Sequence, residues 1–196
     1  MKKSVKVLLV IAAVVLVLFI WVKNTYNTLV SGDETVKSAW SQVENVYQRR
    51  ADLIPNLVAT VKGYANHESS TLQAVVDARA KATSINVDAS NLSEEQIAAF
   101  QKAQGELSSA LSRLLAVSEA YPELKANENF KELQAQLEGT ENRIAVERKN
   151  YNETAKSYNV KVRSFPANLI AGMFGFGQKG YFQANEGAQN APVVEF

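Results

Sequence analysis

Cysteine is absent from the 196 residues, and histidine occurs once, at His67. No disulfide, zinc–thiolate site or cysteine nucleophile can be built, and neither a Ser-His-Asp triad nor a multi-histidine metal site has its parts. An excess of charge of either sign is also lacking: Lys+Arg 21 stand against Asp+Glu 20, a net charge of +1. Nucleic acid, which needs a basic face to meet its phosphates, finds no electrostatic support as a partner. Prolines number four and glycines nine, and Gly172, Gly175, Gly177, Gly180 and Gly187 all lie beyond Phe165. The middle of the chain is therefore nearly unbroken and rich in Ala, Leu, Glu, Gln and Lys, a composition that favours helix. Strand-like alternation of useful length is missing throughout.

What is present begins with one apolar run, "VLLVIAAVVLVLFIWV", Val7–Val22. About 20 residues span a bilayer, so the run is slightly short, but Val5 extends it and Lys6 can snorkel its ammonium to the interface. Trp21 stands where an interfacial aromatic belongs. A cleaved signal peptide would end in a small-x-small site, which "WVKNTYNTLV" does not offer. Residues 1–23 are read as an uncleaved transmembrane anchor. Lys2, Lys3 and Lys6 precede it and Lys23 and Lys37 follow, an excess that favours a cytoplasmic N-terminus and an extracytoplasmic domain.

Beyond the anchor, apolar residues recur in steps of three and four. Val36, Trp40, Val43, Tyr47 and Ile54 form one stripe. Leu57, Val58, Val61, Ala65, Leu72, Val75 and Val76 form a second, and Ile97, Phe100, Leu107, Leu111, Leu114 and Tyr121 a third. The longest carries Phe130, Leu133, Leu137, Ile144, Tyr151, Ala155, Tyr158, Val162 and Phe165. Four helices are predicted, over Tyr26–Leu53, Pro55–Ser84, Ser93–Tyr121 and Asn129–Phe165, the first continuing out of the anchor. Ser93 with Gln96 reads as a capping box and Leu92 with Ile97 as a hydrophobic staple; Asn129 is the N-cap expected for the fourth helix, and Pro122 the stop of the third. Matched lengths and short connections predict an all-α fold, an antiparallel up-and-down four-helix bundle over residues 24–165, followed by an apolar and then glycine-rich tail, 166–196. In "VYQRRADLIPNL", Pro55 is expected in the first turn of the second helix, with Arg49 and Arg50 as the solvated end of the first. The competing reading makes Pro55 a kink and moves the turn to Gly63–Asn66.

Few motifs carry chemistry. "GFGQKG", Gly175–Gly180, matches G-x-G-x-x-G, but a helix precedes it and only 16 residues follow, so it reads as flexible glycine turns. His67–Glu68 is half of H-E-x-x-H with Thr71 in the second ligand position, and reads as surface. Glu141, Arg143, Glu147 and Arg148 are spaced to pair along the fourth helix, with Glu147 or Arg148 near a partly buried polar layer. Tyr-Asn occurs at 26–27, 151–152 and 158–159, the last two one heptad apart, and the tyrosine hydroxyls are expected to reach partners. "FPANLIAGMFGFG" is too short to span a membrane and too apolar for a free loop. In a bundle that starts at the membrane it lies where the fourth helix returns there, so Phe165, Leu169, Ile170, Met173, Phe174 and Phe176 are expected either to meet lipid or a partner, or to cover the base of the bundle.

The anchor, "AWSQVENVYQRRADLIPNLVATVKGYANHE", "VDARAKA" and "YNETAKSYNVKVRSFPANLIAGMFGF", in that order, resemble the LemA family over nearly the whole chain up to Phe182. The resemblance implies a membrane-anchored helical bundle of the bacterial inner membrane, with no enzymatic activity, no cofactor and no metal. It implies the lipid bilayer and other membrane proteins as partners, a membrane metalloprotease among them, and leaves a homo-oligomer open. The expected function is an interaction or scaffold protein of the cell envelope. The alternatives are a lipid-binding or membrane-remodelling protein acting through 165–176 and, last, a carboxylate-based hydrolase.

Overall fold

The computed structural model describes residues 3–65 and 67–184. Among them there are six helices and no strand: α1 (Lys3–Tyr64), α2 (Ser69–Ser84), α3 (Glu94–Ser118), α4 (Pro122–Ala126), α5 (Glu128–Arg163) and α6 (Ala167–Phe174). The fold is all-α, as its periodicities predict. The helix lengths are not matched as expected: α1 has 62 residues, α2 16, α3 25 and α5 36.

At 1.5 Å per residue α1 is about 93 Å long. Its first part is long and apolar enough to cross a membrane, and none of that window is buried. From Leu29 onward a stripe of Val36, Trp40, Val43, Tyr47, Ile54, Leu57 and Val61 turns into the core. Pro55 lies inside this helix rather than at the start of the next one. Proline has no N–H for the carbonyl four residues back, here Ala51. The Arg79 guanidinium, reaching across from α2, donates Nε–H to that carbonyl at 2.8 Å. α1 instead runs on through Tyr64 and α2 opens at Ser69, so the break between them overlaps the far end of the alternative region at Ala65 and extends past it to His67 and Glu68; Asn66 lies outside the described residues.

Contacts between α1 and α5 descend along α5 as they ascend along α1. Gly32 lies under the Tyr158 ring, so close that an added Cβ would come within 3.0 Å of it. Above that, Trp40 meets Tyr151, Arg50 meets Glu141, and Tyr64 accepts from Asn127. α2 packs on α3 in the same sense, with Lys81 on Glu106 and Glu68 accepting from the Tyr121 hydroxyl. Ser93 caps α3 as predicted, accepting from Gln96 N–H, and the staple residues Leu92 and Ile97 are both buried. The cap of α5 is Asn127, two residues earlier than expected, accepting from Phe130 N–H at 3.0 Å. α3 ends at Ser118, before Pro122 is reached, and Pro122 opens the short α4.

The core falls into two clusters. The one nearer the apolar run gathers Leu29, Trp40, Tyr47, Phe100, Tyr151, Tyr158 and Ile170, with Val87 and Leu92 folded in from the α2–α3 loop. The farther one gathers Ile54, Leu57, Leu72, Leu107, Leu114, Phe130 and Leu137. A polar layer stands between them. Arg50, one per cent exposed, donates to Gln104 Oε1 at 2.6 Å, to Ser108 Oγ at 2.8 Å and to the Glu141 carboxylate. Arg50 is therefore not a solvated helix end; Arg49 beside it is exposed. A buried guanidinium is tolerated because its carboxylate, amide and hydroxyl partners replace the water lost at both terminal nitrogens, only Nε lacking a partner among the described residues.

Candidate functional site

Beyond α6 the chain turns back along the domain as an extended segment, and this segment occupies a groove between α1, α3 and α5. Three side-chain carboxamides hold its main chain. Asn159 donates to the Lys179 carbonyl and accepts from the Lys179 N–H, both at 2.8 Å. Asn152 does the same to Phe182, at 2.8 and 2.9 Å. Gln101, from α3, does the same to Gln183, at 2.9 and 3.1 Å. Each carboxamide thus acts as one rung of a β-ladder. The heptad between the two Tyr-Asn pairs on α5 acquires its meaning here: seven helical residues advance about 10.5 Å, and the three extended residues from 179 to 182 advance about 10 Å.

Two side chains of the segment have their own seats. The Lys179 ammonium, in a side chain only 6% exposed, meets Asp33 Oδ1 at 2.7 Å and donates to the Ser90 carbonyl at 3.2 Å. Burial raises the Asp33 carboxyl, but hydrogen bonds from Lys179 and Lys37 more than offset this and hold its pKa below the ordinary aspartate value. The Phe182 ring stacks on Trp40 with 5.8 Å between centroids, stands edge-on to Tyr151, and has the Arg148 guanidinium 5.0 Å from its face. Between the two seats Gly180 donates to the Leu92 carbonyl, and an added Cβ there would stand 2.7 Å from the Glu94 Cα. Tyr151 donates to the Gly180 carbonyl at 3.1 Å. Tyr158, its hydroxyl buried and lacking a hydrogen-bond partner among the described residues, has its pKa pushed up to about 12 by burial and by the Asp33 charge.

"GFGQKG" is therefore not a set of free glycine turns. Gly175, at φ +76°, ends α6 in the left-handed region, and Gly180 permits close approach to α3. The anticipated pairing of Glu141 and Glu147 with Arg143 and Arg148 along α5 does not occur: Glu141 turns to Arg50, Arg148 donates to the Gln183 carbonyl, and Glu147 accepts from Asn150. His67 is exposed. Among the described residues no group of three or more His, Asp or Glu side chains is placed to hold a metal ion.

α6 and the residues flanking it divide their apolar side chains between two sides. Ile170 and Ala171 are buried in the near core, and Phe176 is partly buried against it. Phe165 (80%), Leu169 (56%), Met173 (77%) and Phe174 (52%) are exposed. The helix sits beside the end of the apolar run of α1. Tyr26 meets Phe174 and Phe176 edge-on at 4.9 and 5.6 Å, and Trp21 and Val22 are partly buried against the cluster that contains Ile170.

The chain resembles several proteins of known name. It is 30% identical to magnetosome protein MamQ 2 of Paramagnetospirillum magneticum, across 86% of this chain and 68% of the relative. It is 28% identical to magnetosome protein MamQ of Magnetospirillum gryphiswaldense, across 97% and 76%. Protein LemA of Metamycoplasma hominis is 26% identical, across 82% and 69%. The LemA family profile matches residues 39–196, which takes in α1 from Ala39 onward, the groove residues other than Asp33, and the clasped segment, and the chain belongs to the LemA family.

Proposed function

We propose that this protein is a single-pass, non-enzymatic interaction protein of the bacterial inner membrane, and that the outer face of α6 rests on the bilayer beside the span. The four long helical segments form one antiparallel bundle standing on that membrane, on its extracytoplasmic side. The partners are the bilayer and other membrane proteins.

One observation carries this reading. Phe165, Leu169, Met173 and Phe174 expose a continuous apolar face next to Tyr26, only four residues beyond the end of the apolar run. Four residues of helix rise about 6 Å, so this face lies at headgroup depth if α1 spans the bilayer. Each side chain removed from water there contributes about 1.5–3 kcal/mol when fully buried. The ion-paired carboxylates support a structural rather than an acid–base role: Asp33 is engaged by Lys179 and Lys37, and Glu141 by Arg50.

Because the chain has no cysteine, one introduced thiol reports one place. A fluorophore on Met173→Cys, in full-length protein in vesicles, is expected to be quenched by lipids brominated near the headgroup. The same fluorophore on Val146→Cys, exposed on α5, is expected to be untouched. Equal quenching at the two positions sinks the membrane-contact reading. Labelling of Val146→Cys in intact cells by a membrane-impermeant maleimide tests the orientation.

The segment's apolar content favours a second reading, in which the α6 face remodels or sequesters lipid. It predicts that Leu169→Asp with Met173→Asp abolishes a change in vesicle shape, and not only the quenching.

A further inference from the structure

We infer that the groove between α1, α3 and α5 is a general seat for an extended Lys-Gly-x-aromatic segment, and that residues 179–184 of a second copy of this chain can occupy it in place of the chain's own. The hydrogen bonds and ring contacts described above for the segment come from Asp33, Trp40, Gln101, Arg148, Tyr151, Asn152 and Asn159 on α1, α3 and α5, and from carbonyls at Ser90 and Leu92. α6 contributes to none of these contacts. The seat is therefore built from helices, and the occupant is the part that can leave.

Recognition is directed at main chain, as when a peptide adds to a sheet edge, with side-chain selection strongest at three positions, while the Tyr181 hydroxyl accepts from Asn159 at 2.9 Å. A cation is required opposite Asp33, no Cβ is tolerated against Glu94, and an aromatic is required between Trp40, Tyr151 and Arg148. A second copy supplies this ligand by identity. Exchange replaces every contact with its equal, which makes swapping of an identical element a low-cost route to association. The segment is entered through Gly175 and Gly177, around which no side chain stands within 4 Å of an added Cβ. The four residues Gly175–Gln178 reach at most about 13 Å when extended, so exchanging copies must stand side by side. Copies anchored through α1 in one membrane share an orientation that permits this.

The test uses full-length chains co-expressed in one membrane. One version carries Lys102→Cys and the other, of different size, Ala184→Cys. These are exposed neighbours of Gln101 and Gln183, so every clamp stays intact. A short bis-maleimide is expected to join the two versions into a mixed dimer, and adding Phe182→Ala to the Ala184→Cys version is expected to lower that yield about tenfold. The inference is overturned if no mixed dimer forms while a chain carrying both thiols cross-links internally. It is overturned equally if Phe182→Ala leaves the mixed yield unchanged, because the copies then meet by collision alone.

Discussion

Arg79 and Pro55 never share a hydrogen bond, yet the side chain of the first supplies what the backbone of the second lacks. Pro55 deprives the Ala51 carbonyl of its helical donor, and Arg79 Nε–H takes that place at 2.8 Å. The two changes should therefore be coupled. Arg79→Ala is expected to cost about 1–2 kcal/mol in denaturant unfolding, and clearly less when Pro55→Ala restores the N–H. Strictly additive costs in this cycle would show that the carbonyl is satisfied in another way.

The polar layer predicts an asymmetry. The Glu141 side chain is 45% exposed and the Arg50 side chain 2%. Removing the acid strands a buried cation, whereas removing the cation leaves an acid that can reach water. Glu141→Ala is expected to cost about 2–4 kcal/mol, and Arg50→Met with Glu141→Leu to recover most of it. Thermal melting of the two variants decides the matter; equal midpoints would mean that the charge is not what the layer needs.

Acid should loosen the clasped segment before it unfolds the domain. The Asp33 carboxyl is held below its ordinary value of 3.8, so the folded state binds its proton less readily than the unfolded one. Its contribution is complete above that value and is lost as pH falls through the depressed folded pKa. Fluorescence of Trp40, followed in a Trp21→Phe background, is expected to change below about pH 4 as Phe182 leaves its face. In Asp33→Asn this step should be missing at every pH.

Alkali acts with the opposite sign on Tyr158. Its hydroxyl is held neutral up to about 12 in the fold, so stability falls as pH rises from the ordinary tyrosine value of 10.0 toward that point. Tyr158→Phe removes a buried hydroxyl that lacks a partner among the described residues. The variant is expected to melt at the same temperature or higher, and to lose part of the alkaline decline. A lower melting point at neutral pH would reveal a partner for that hydroxyl.

Gly180→Ala should release the segment without touching a clamp. Its Cβ would stand 2.7 Å from the Glu94 Cα, a backbone atom that cannot swing aside. Proteolysis beyond α6 is expected to become at least about tenfold faster, since exposure of the segment follows its opening equilibrium. Unchanged cleavage would mean that α3 yields instead.

Much of this arrangement is written in helical periodicity. The stripes that predict the core also pass through Arg50, between Tyr47 and Ile54, through Gln104, between Phe100 and Leu107, and through Glu141, between Leu137 and Ile144. Each is three or four residues from apolar neighbours on both sides, so their meeting in one layer, with Arg50 and Gln104 buried and Glu141 at its rim, follows from the same arithmetic. Pro55 misleads because its usual penalty is met by a residue 24 positions away (55 to 79), which no local window contains. The groove is harder still. An extended segment has no period of its own, and its seat is assembled from residues as distant as Asp33 and Asn159. The Tyr-Asn heptad is the one local trace of it, and it becomes readable only once its helical rise is compared with that of an extended chain.

That α1 is one helix from the apolar run to its far turn gives the domain the mechanics of a keyed shaft. A helix turns 100° per residue, so the azimuth of the apolar run dictates which way Trp40, Arg50 and the groove face beyond it. Height is set in the same way: Asp33 stands about 16 Å above Val22, and Arg50 about 42 Å. Deleting one residue between Val22 and Leu29 would rotate everything above the cut by that angle while lowering it by a single rise. Neighbours that met face to face before such a deletion would then present different sides to one another. α6, which is keyed to Tyr26, would be swung with them around the circumference of the shaft.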